Sequence, residues 1–211
     1  MQAPPPPELA PLEYARRPIE ITPEFALGLP SCADGSVDNE RCVGLSAGAG
    51  GGMSVLWRPT PFFAFGGAFD ELRFRFDPGP SSGLRGVRAT GQFVGLLGRV
   101  YFMERGVVEP YLELGLGSGR FATRARALSG FGDSSDESAS GVAVRAGGGV
   151  EFYLSPYVRL GPAFAWTTID VKRVRHCDGS GCVDLDQGSY GHGTGFGNFA
   201  LRLSIVLGPG L

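Results

Sequence analysis

"GVAVRAGGGVEFYLS", residues 141–155, alternates like a strand but has an unusual composition. Successive strand residues point to opposite faces. Val142, Val144, Ala146, Val150, Phe152 and Leu154 share one parity; Arg145, Gly147, Gly149, Glu151 and Tyr153 share the other. Glycine weakens a strand interior because it offers no side chain to pack. A face made of glycine and charge therefore needs surroundings that reward it. Gly148 falls on the apolar parity, and a large aromatic residue on an adjacent strand is expected to cover it.

The same period of two recurs in eight segments. In 18–29, Ile19, Ile21, Phe25, Leu27 and Leu29 oppose Glu20, Thr22, Glu24, Ala26 and Gly28. In 44–58, Leu45, Ala47, Ala49, Met53, Val55 and Trp57 oppose Ser46, Gly48, Gly50, Gly52, Ser54 and Arg58. In 108–120, Leu112, Leu114 and Leu116 oppose Tyr111, Glu113, Gly115, Gly117 and Gly119. The segment 157–168 sets Val158, Leu160, Phe164 and Trp166 against Arg159, Gly161, Ala163 and Ala165. The segment 196–207 sets Phe199, Leu201, Leu203, Ile205 and Leu207 against Ala200, Arg202 and Ser204.

Two segments are less regular. In 62–76, Phe63, Phe65 and Phe69 hold one parity, then Leu72, Phe74 and Phe76 the other, with Asp70 and Glu71 between. A bulge, or a passage out of the apolar layer, is expected there. In 87–103 the apolar set Val94, Leu96, Val100 and Phe102 begins only halfway along, and Arg99 lies among them. Both read as strands whose facing stays open.

The connections sort by length. Those at 58–61, 103–107 and 155–156 are short; those at 30–43, 77–86, 126–140 and 175–193 are long and rich in Gly, Ser, Asp and Pro. Short and long alternate throughout, as in an up-and-down antiparallel meander with short turns at one end and long loops at the other.

Such a meander closes as a soluble barrel, apolar inside, or as a membrane barrel, apolar outside. A soluble surface carries about a quarter or more charged residues, whereas the non-apolar face here is mostly Gly, Ala and Ser. Turned inside out, the pattern fits. An eight-stranded barrel is only wide enough to be filled by side chains, so large inward groups need small neighbours such as Gly48, Gly50, Gly115, Gly117, Gly147 and Gly149. About ten residues of tilted strand cross the hydrocarbon. Trp57, Tyr101, Phe102, Phe152 and Tyr153 fall near the short-turn end, where an aromatic girdle is expected. The fold class is read as all-β, an eight-stranded antiparallel up-and-down transmembrane β-barrel.

Composition agrees. Of 211 residues, 35 are glycine, against about 15 at average usage. No run approaches the length of a transmembrane helix. The 19 basic and 21 acidic residues make no basic patch, and Lys172 is the only lysine, so nucleic acid is not an expected partner.

A family resemblance follows from two stretches. "EPYLELGLGSG", 109–119, is similar to the Pro-Tyr, Gly-x-Gly strand common in the small outer-membrane β-barrels of Gram-negative bacteria, the OmpA/OmpX-type class. "GGGVEFYLSPYVRLGPAF", 147–164, resembles the strand, tight turn and strand found there. The resemblance covers 18–208 and implies an outer-membrane location, with outer-membrane lipids, lipopolysaccharide and the barrel-insertion machinery as partners. Members usually end on an aromatic residue, whereas this chain ends "IVLGPGL", so that signal is degenerate or followed by extra residues.

Residues 1–17, with four consecutive prolines, read as an extended periplasmic tether. They resemble what remains after removal of a signal peptide, with Met1 added. Residues 18–208 are the barrel and 209–211 a C-terminal tail. The four cysteines form two close pairs, Cys32–Cys42 and Cys177–Cys182, in polar, turn-rich loops. Disulfides are expected in an oxidising compartment.

Inward parity collects Glu20, Glu24, Arg58, Glu113, Arg145, Glu151, Arg159 and Arg202, with Arg99 joining them. Unpaired charges in a narrow lumen are costly, and the arginine fork bridges two carboxylates. An ion-paired plug is the leading expectation, and a narrow ion or small-solute channel the alternative. A lipid-directed enzyme or protease would need a cluster among His176, His192, Asp178, Asp184, Asp186 and Ser189, residues that polar loops contain by default. "GDSSDES", 132–138, and "DLDQG", 184–188, match no complete calcium loop. His176, Cys177, Cys182 and His192 suit a disulfide better than zinc. No catalytic residue, cofactor or metal is assigned. A monomer in a structural or surface-interaction role is expected, with the long loops offered to an extracellular ligand.

Overall fold

The computed structural model describes residues 19–32, 45–76, 84–103, 107–127, 135–155, 157–178, 180–185 and 194–207. Nine strands are present among them: β1 (Ile19–Cys32), β2 (Leu45–Thr60), β3 (Phe63–Phe76), β4 (Leu84–Tyr101), β5 (Val108–Ala127), β6 (Ser135–Ser155), β7 (Val158–Asp178), β8 (Gly181–Leu185) and β9 (Thr194–Leu207). Every pairing is antiparallel. β1 pairs with β2 and β9, and β7 with β6 and β9, so eight strands close into a barrel. β8 pairs only with the far end of β7. Ile19 faces both Trp57 and Leu207, which places the start of β1 and the end of β9 at the short-turn end.

Closure leaves no free edge among the eight strands, the condition for a sheet to cross a bilayer. The outward parity is an apolar belt. Leu96 is 73% exposed and Leu114, Leu154 and Phe25 nearly as much, an exposure that water would not reward and hydrocarbon does. Gly148 lies in this belt between Leu112 on β5 and Phe164 on β7. A Cβ there would come within 3.0 Å of the Leu112 side chain, so Leu112 covers the site and the aromatic partner lies on the other side.

The two irregular segments keep one facing throughout. In β3, Ala64, Asp70, Leu72 and Phe74 are buried, while Phe63, Phe65, Phe69, Arg73 and Arg75 are exposed. The β3–β4 ladder runs from Phe63 to Arg75 without a register shift. There is no bulge; the strand leaves the apolar layer near Glu71, and both of its faces change composition together. β4 does the same in reverse. Arg88 is exposed and Ala89 and Phe93 are buried before the belt residues Val94, Leu96 and Val100 begin.

Strands are longer at the long-loop end than the alternation alone indicated. β5 has 20 residues and β6 and β7 have 21 each, about twice what crosses the hydrocarbon. β1, β3 and β9 have 14, so the wall stands tallest over β4 to β7. Much of the expected 126–140 loop is therefore strand. The expected 175–193 loop includes a hairpin in which Cys177 faces Cys182 across β7 and β8. Gly181 opens β8 at φ 144°, a conformation that favours glycine.

The glycines serve two purposes rather than one. A Cβ on Gly149 would lie 2.5 Å from the Tyr111 hydroxyl, and one on Gly119 2.5 Å from Ile169, so these two make room for lumen side chains. At Gly50, Gly117 and Gly147 the first obstacle is a backbone carbonyl of the neighbouring strand. There glycine permits close strand approach.

Candidate functional site

The lumen has two storeys. The one nearer the short-turn end is ionic. Among the described residues it holds six carboxylates, Glu20, Glu24, Asp70, Glu109, Glu113 and Glu151, and five guanidinium groups, Arg58, Arg99, Arg145, Arg159 and Arg202, with no side chain more than 6% exposed.

Two centres organise it. Near the short turns, Glu109 accepts from Arg58 at 2.6 and 3.1 Å, from Arg159 at 2.5 Å and from the Tyr153 hydroxyl at 3.0 Å. Glu20 lies 2.9 Å from Arg159 and 3.2 Å from Arg58, and accepts from the Tyr101 hydroxyl at 2.6 Å. Glu151 lies 2.9 Å from Arg159 and accepts from Ser204, itself bonded to Thr22. Arg58 also donates to the Pro61 carbonyl, tying the network to the first short turn.

Higher in the barrel, Glu113 is the hub. Arg202 meets it through two parallel hydrogen bonds of 2.7 and 2.8 Å, while Arg145 and Arg99 approach at 3.2 and 3.3 Å. Arg202 also donates to Glu24 at 2.6 Å and to the Tyr111 hydroxyl at 2.7 Å. Arg145 pairs with Asp70 and lies 3.6 Å from Glu24. Arg99 joins the two centres, since it reaches Glu113 on one side and Glu20 and Glu151 on the other. The tyrosines add cation–π faces, with Arg58 3.8 Å from the Tyr101 ring and Arg99 4.4 Å from that of Tyr111.

The second storey, toward the long-loop end, is apolar. Leu72, Phe74, Ala89, Phe93, Ala143, Ile169 and Phe196 are buried, with Phe121 and Val171 packed against them. Phe74 lies 6.0 Å from Phe121 and 6.4 Å from Phe196, ring to ring. The Arg145 guanidinium sits 5.8 Å from the Phe93 ring, where the two storeys meet.

All nine charged residues assigned inward by parity lie in the ionic storey. Glu109 and Asp70 were missed. Glu109 shares the parity of Tyr111 and Glu113 but sits at the strand's first turn. Asp70 was hidden by the change of pattern in β3. Tyr101 and Tyr153 correct the girdle expectation: Tyr101 is 1% exposed, and both donate to lumen carboxylates. Trp57, Phe102 and Phe152 do face outward. Their parity separates the groups, because Tyr101 and Tyr153 share the facing of Arg99 and Glu151.

Outside the lumen, Cys177 and Cys182 form a disulfide, which removes both from any zinc set. Cys32–Cys42, the tether, the tail, His192, Asp186 and Ser189 lie outside the described residues. His176 stands opposite Val183 in the β7–β8 hairpin, and Asp184 accepts from Arg175. Asp136, from the acidic 132–138 stretch, pairs with Arg124 on β5 through two 2.8 Å hydrogen bonds.

No protein-family model matches the sequence, and no curated protein sequence does. Solved structures do match. Neisserial surface protein A has 17% identity and a TM-score of 0.57, covering 90% of this chain and 97% of its own. A major outer-membrane protein of Thermus thermophilus has 12% identity, the same TM-score, and covers 90% and 99%. The fold is that of the eight-stranded outer-membrane β-barrels. Ail, the attachment invasion locus protein of Yersinia pestis, shares it at 13% identity and a TM-score of 0.52, covering 90% and 99%. Identities this low speak for the barrel alone.

Proposed function

We propose that the protein is a closed, non-conducting barrel of the bacterial outer membrane that holds a tall, disulfide-stapled rim above the lipid as an interaction surface. The observation that carries this is the double filling of the lumen. An ionic storey with buried, mutually satisfied groups sits directly beneath an apolar one. Water entering the first would have to break charge-assisted pairs, and water entering the second would have no polar partner. A non-catalytic, monomeric role goes with this reading. So do insertion by the barrel-assembly machinery and contact with lipopolysaccharide and with an extracellular ligand at the long loops.

Planar-bilayer recording tests it. The wild-type barrel is expected to give no discrete conductance, and Glu113→Ala and Arg145→Ala to introduce it by unpairing the hub. A steady wild-type conductance, lost or enlarged by the same substitutions, would replace the plug with a narrow channel. Mass spectrometry of lipid A from expressing cells is expected to show unchanged acyl chains.

A further inference from the structure

The outer surface carries a feature that filling the lumen does not use. A shallow trough of about 500 Å³ runs up the outside of β2, lined by Phe25, Ala49, Gly51, Phe69, Glu71 and Arg73. Its floor is Ala49 and Gly51, which flank no bulk of their own. Phe25, 63% exposed, and Phe69, 44% exposed, stand as walls on β1 and β3. Its closed end is polar, where Arg73 pairs with Glu71 at 2.8 Å and Gln92 donates to the same carboxylate at 2.9 Å. A trough with an apolar floor in the belt and a cation at its upper end has the shape of a seat for one acyl chain and an anionic headgroup.

The surface next to it supports that reading. On β3, β4 and β5, Arg75 stands directly opposite Arg88, and Arg88 opposite Arg124. All three are exposed, and only Arg124 has a carboxylate partner, Asp136, among the described residues. Like charges set opposite each other across strands destabilise a sheet. A row of three is therefore a cost that an anionic ligand removes.

Height decides the class of lipid. Phe69 is the last belt residue of β3, and Arg75 lies six residues further along. At about 3.4 Å per residue and a strand tilt of about 45°, Arg75 stands about 14 Å above the hydrocarbon edge. A phospholipid head layer is only about 5–7 Å deep per leaflet. Arg73 is within its reach; the Arg75–Arg88–Arg124 row is not. We propose that the trough and the arginine row together form one site for a lipid whose headgroup is a phosphorylated saccharide, with a chain over Ala49 and Gly51 and sugar phosphates on Arg75 and Arg88. This rests on the membrane reading above.

The test uses full-length protein refolded in detergent, with binding read by native mass spectrometry and by the thermal midpoint. Probes are rough-type lipopolysaccharide, phosphatidylglycerol and inorganic phosphate. Wild type is expected to bind the lipopolysaccharide at least tenfold more tightly than phosphatidylglycerol. The double variant Arg75→Ala/Arg88→Ala is expected to lose that preference while melting no lower than wild type without lipid, because it relieves the like-charge row. Ala49→Trp, which fills the trough, is expected to weaken both lipids. Unchanged preference in the double variant overturns the site. Complete displacement of lipid by millimolar inorganic phosphate overturns the lipid assignment in favour of a simple anion site. Wild type that shows no heat-modifiable gel migration would instead refute the membrane reading; a barrel that migrates as folded but shows no preference refutes this site alone.

Discussion

The two halves of this barrel obey opposite rules. Toward the short turns, Leu, Val and Phe face out while glutamate and arginine fill the inside. Toward the long loops, Leu72, Phe74, Phe93 and Phe196 fill the inside while Arg73, Arg88, Arg120 and Arg124 face out. The second half is built like a soluble barrel and the first like a membrane one, yet β3 and β4 pass from one to the other without a register shift. The hydrogen-bonded ladder is indifferent to the change, because it satisfies the backbone equally in both. The outer surroundings select the side chains, and the inside takes the complement. Apolar groups face whatever is dry outside, and where the outside is wet they turn inward.

The largest way to break this contrast is at the ionic hub. Glu113→Ala leaves Arg202, Arg145 and Arg99 short of a partner in a dry lumen, and stranding one member of a buried pair costs about 3–5 kcal/mol. Urea unfolding in detergent micelles should show that loss; a change below about 1 kcal/mol would mean that water already reaches the hub. In the apolar storey, Phe196→Ala is expected to cost about 3 kcal/mol through a cavity against Phe74, and to do so without creating conductance. On the outside, Leu114→Arg in the belt is expected to cost about 2–4 kcal/mol. Ala122→Lys, eight residues along the same strand and face, should stay within about 0.5 kcal/mol. Equal costs at the two positions would erase the boundary between the halves.

The smallest effect concerns pH. Hydrogen bonding from Arg124 holds the Asp136 carboxyl below its ordinary value. Because the folded-state value is the depressed one, the pair contributes fully above the unfolded value of 3.8 and is lost as pH falls through the folded one. For a pair this exposed the contribution is slight. Stability should be flat from pH 7 to pH 5 on this account, and Asp136→Asn should remove only a small drop below pH 4. The ionic storey, being screened from water, should not follow that profile. A steep loss shared by wild type and Asp136→Asn would show that the acid response belongs to the lumen.

Much of this was legible from parity alone. "GVAVRAGGGVEFYLS" places Arg145 and Glu151 on one face because a strand has a period of two and nothing about the rest of the chain alters that. Parity failed where the surroundings changed along a strand. In β3 the shift of apolar residues from Phe69 to Leu72 resembles a bulge, and Asp70 was left unassigned at that point. It also failed where one residue type suits two places, as tyrosine does in a girdle and in a polar lumen. Tyr101 and Tyr153 needed their neighbours' facing to be placed.

The sequence by itself determined the alternation, the up-and-down order and the set of charges that had to be buried together, since these follow from local geometry and the cost of an unpaired charge. Only the tertiary structure decided who pairs with whom. Glu113 and Arg202 are 89 residues apart, and their two-pronged contact exists because β9 closes on β1 and β7 and turns Arg202 across the lumen to β5. The height at which the lumen passes from ionic to apolar was likewise set by closure. A strand's parity is a property of its own backbone, but the storey each residue occupies depends on the stagger of all eight.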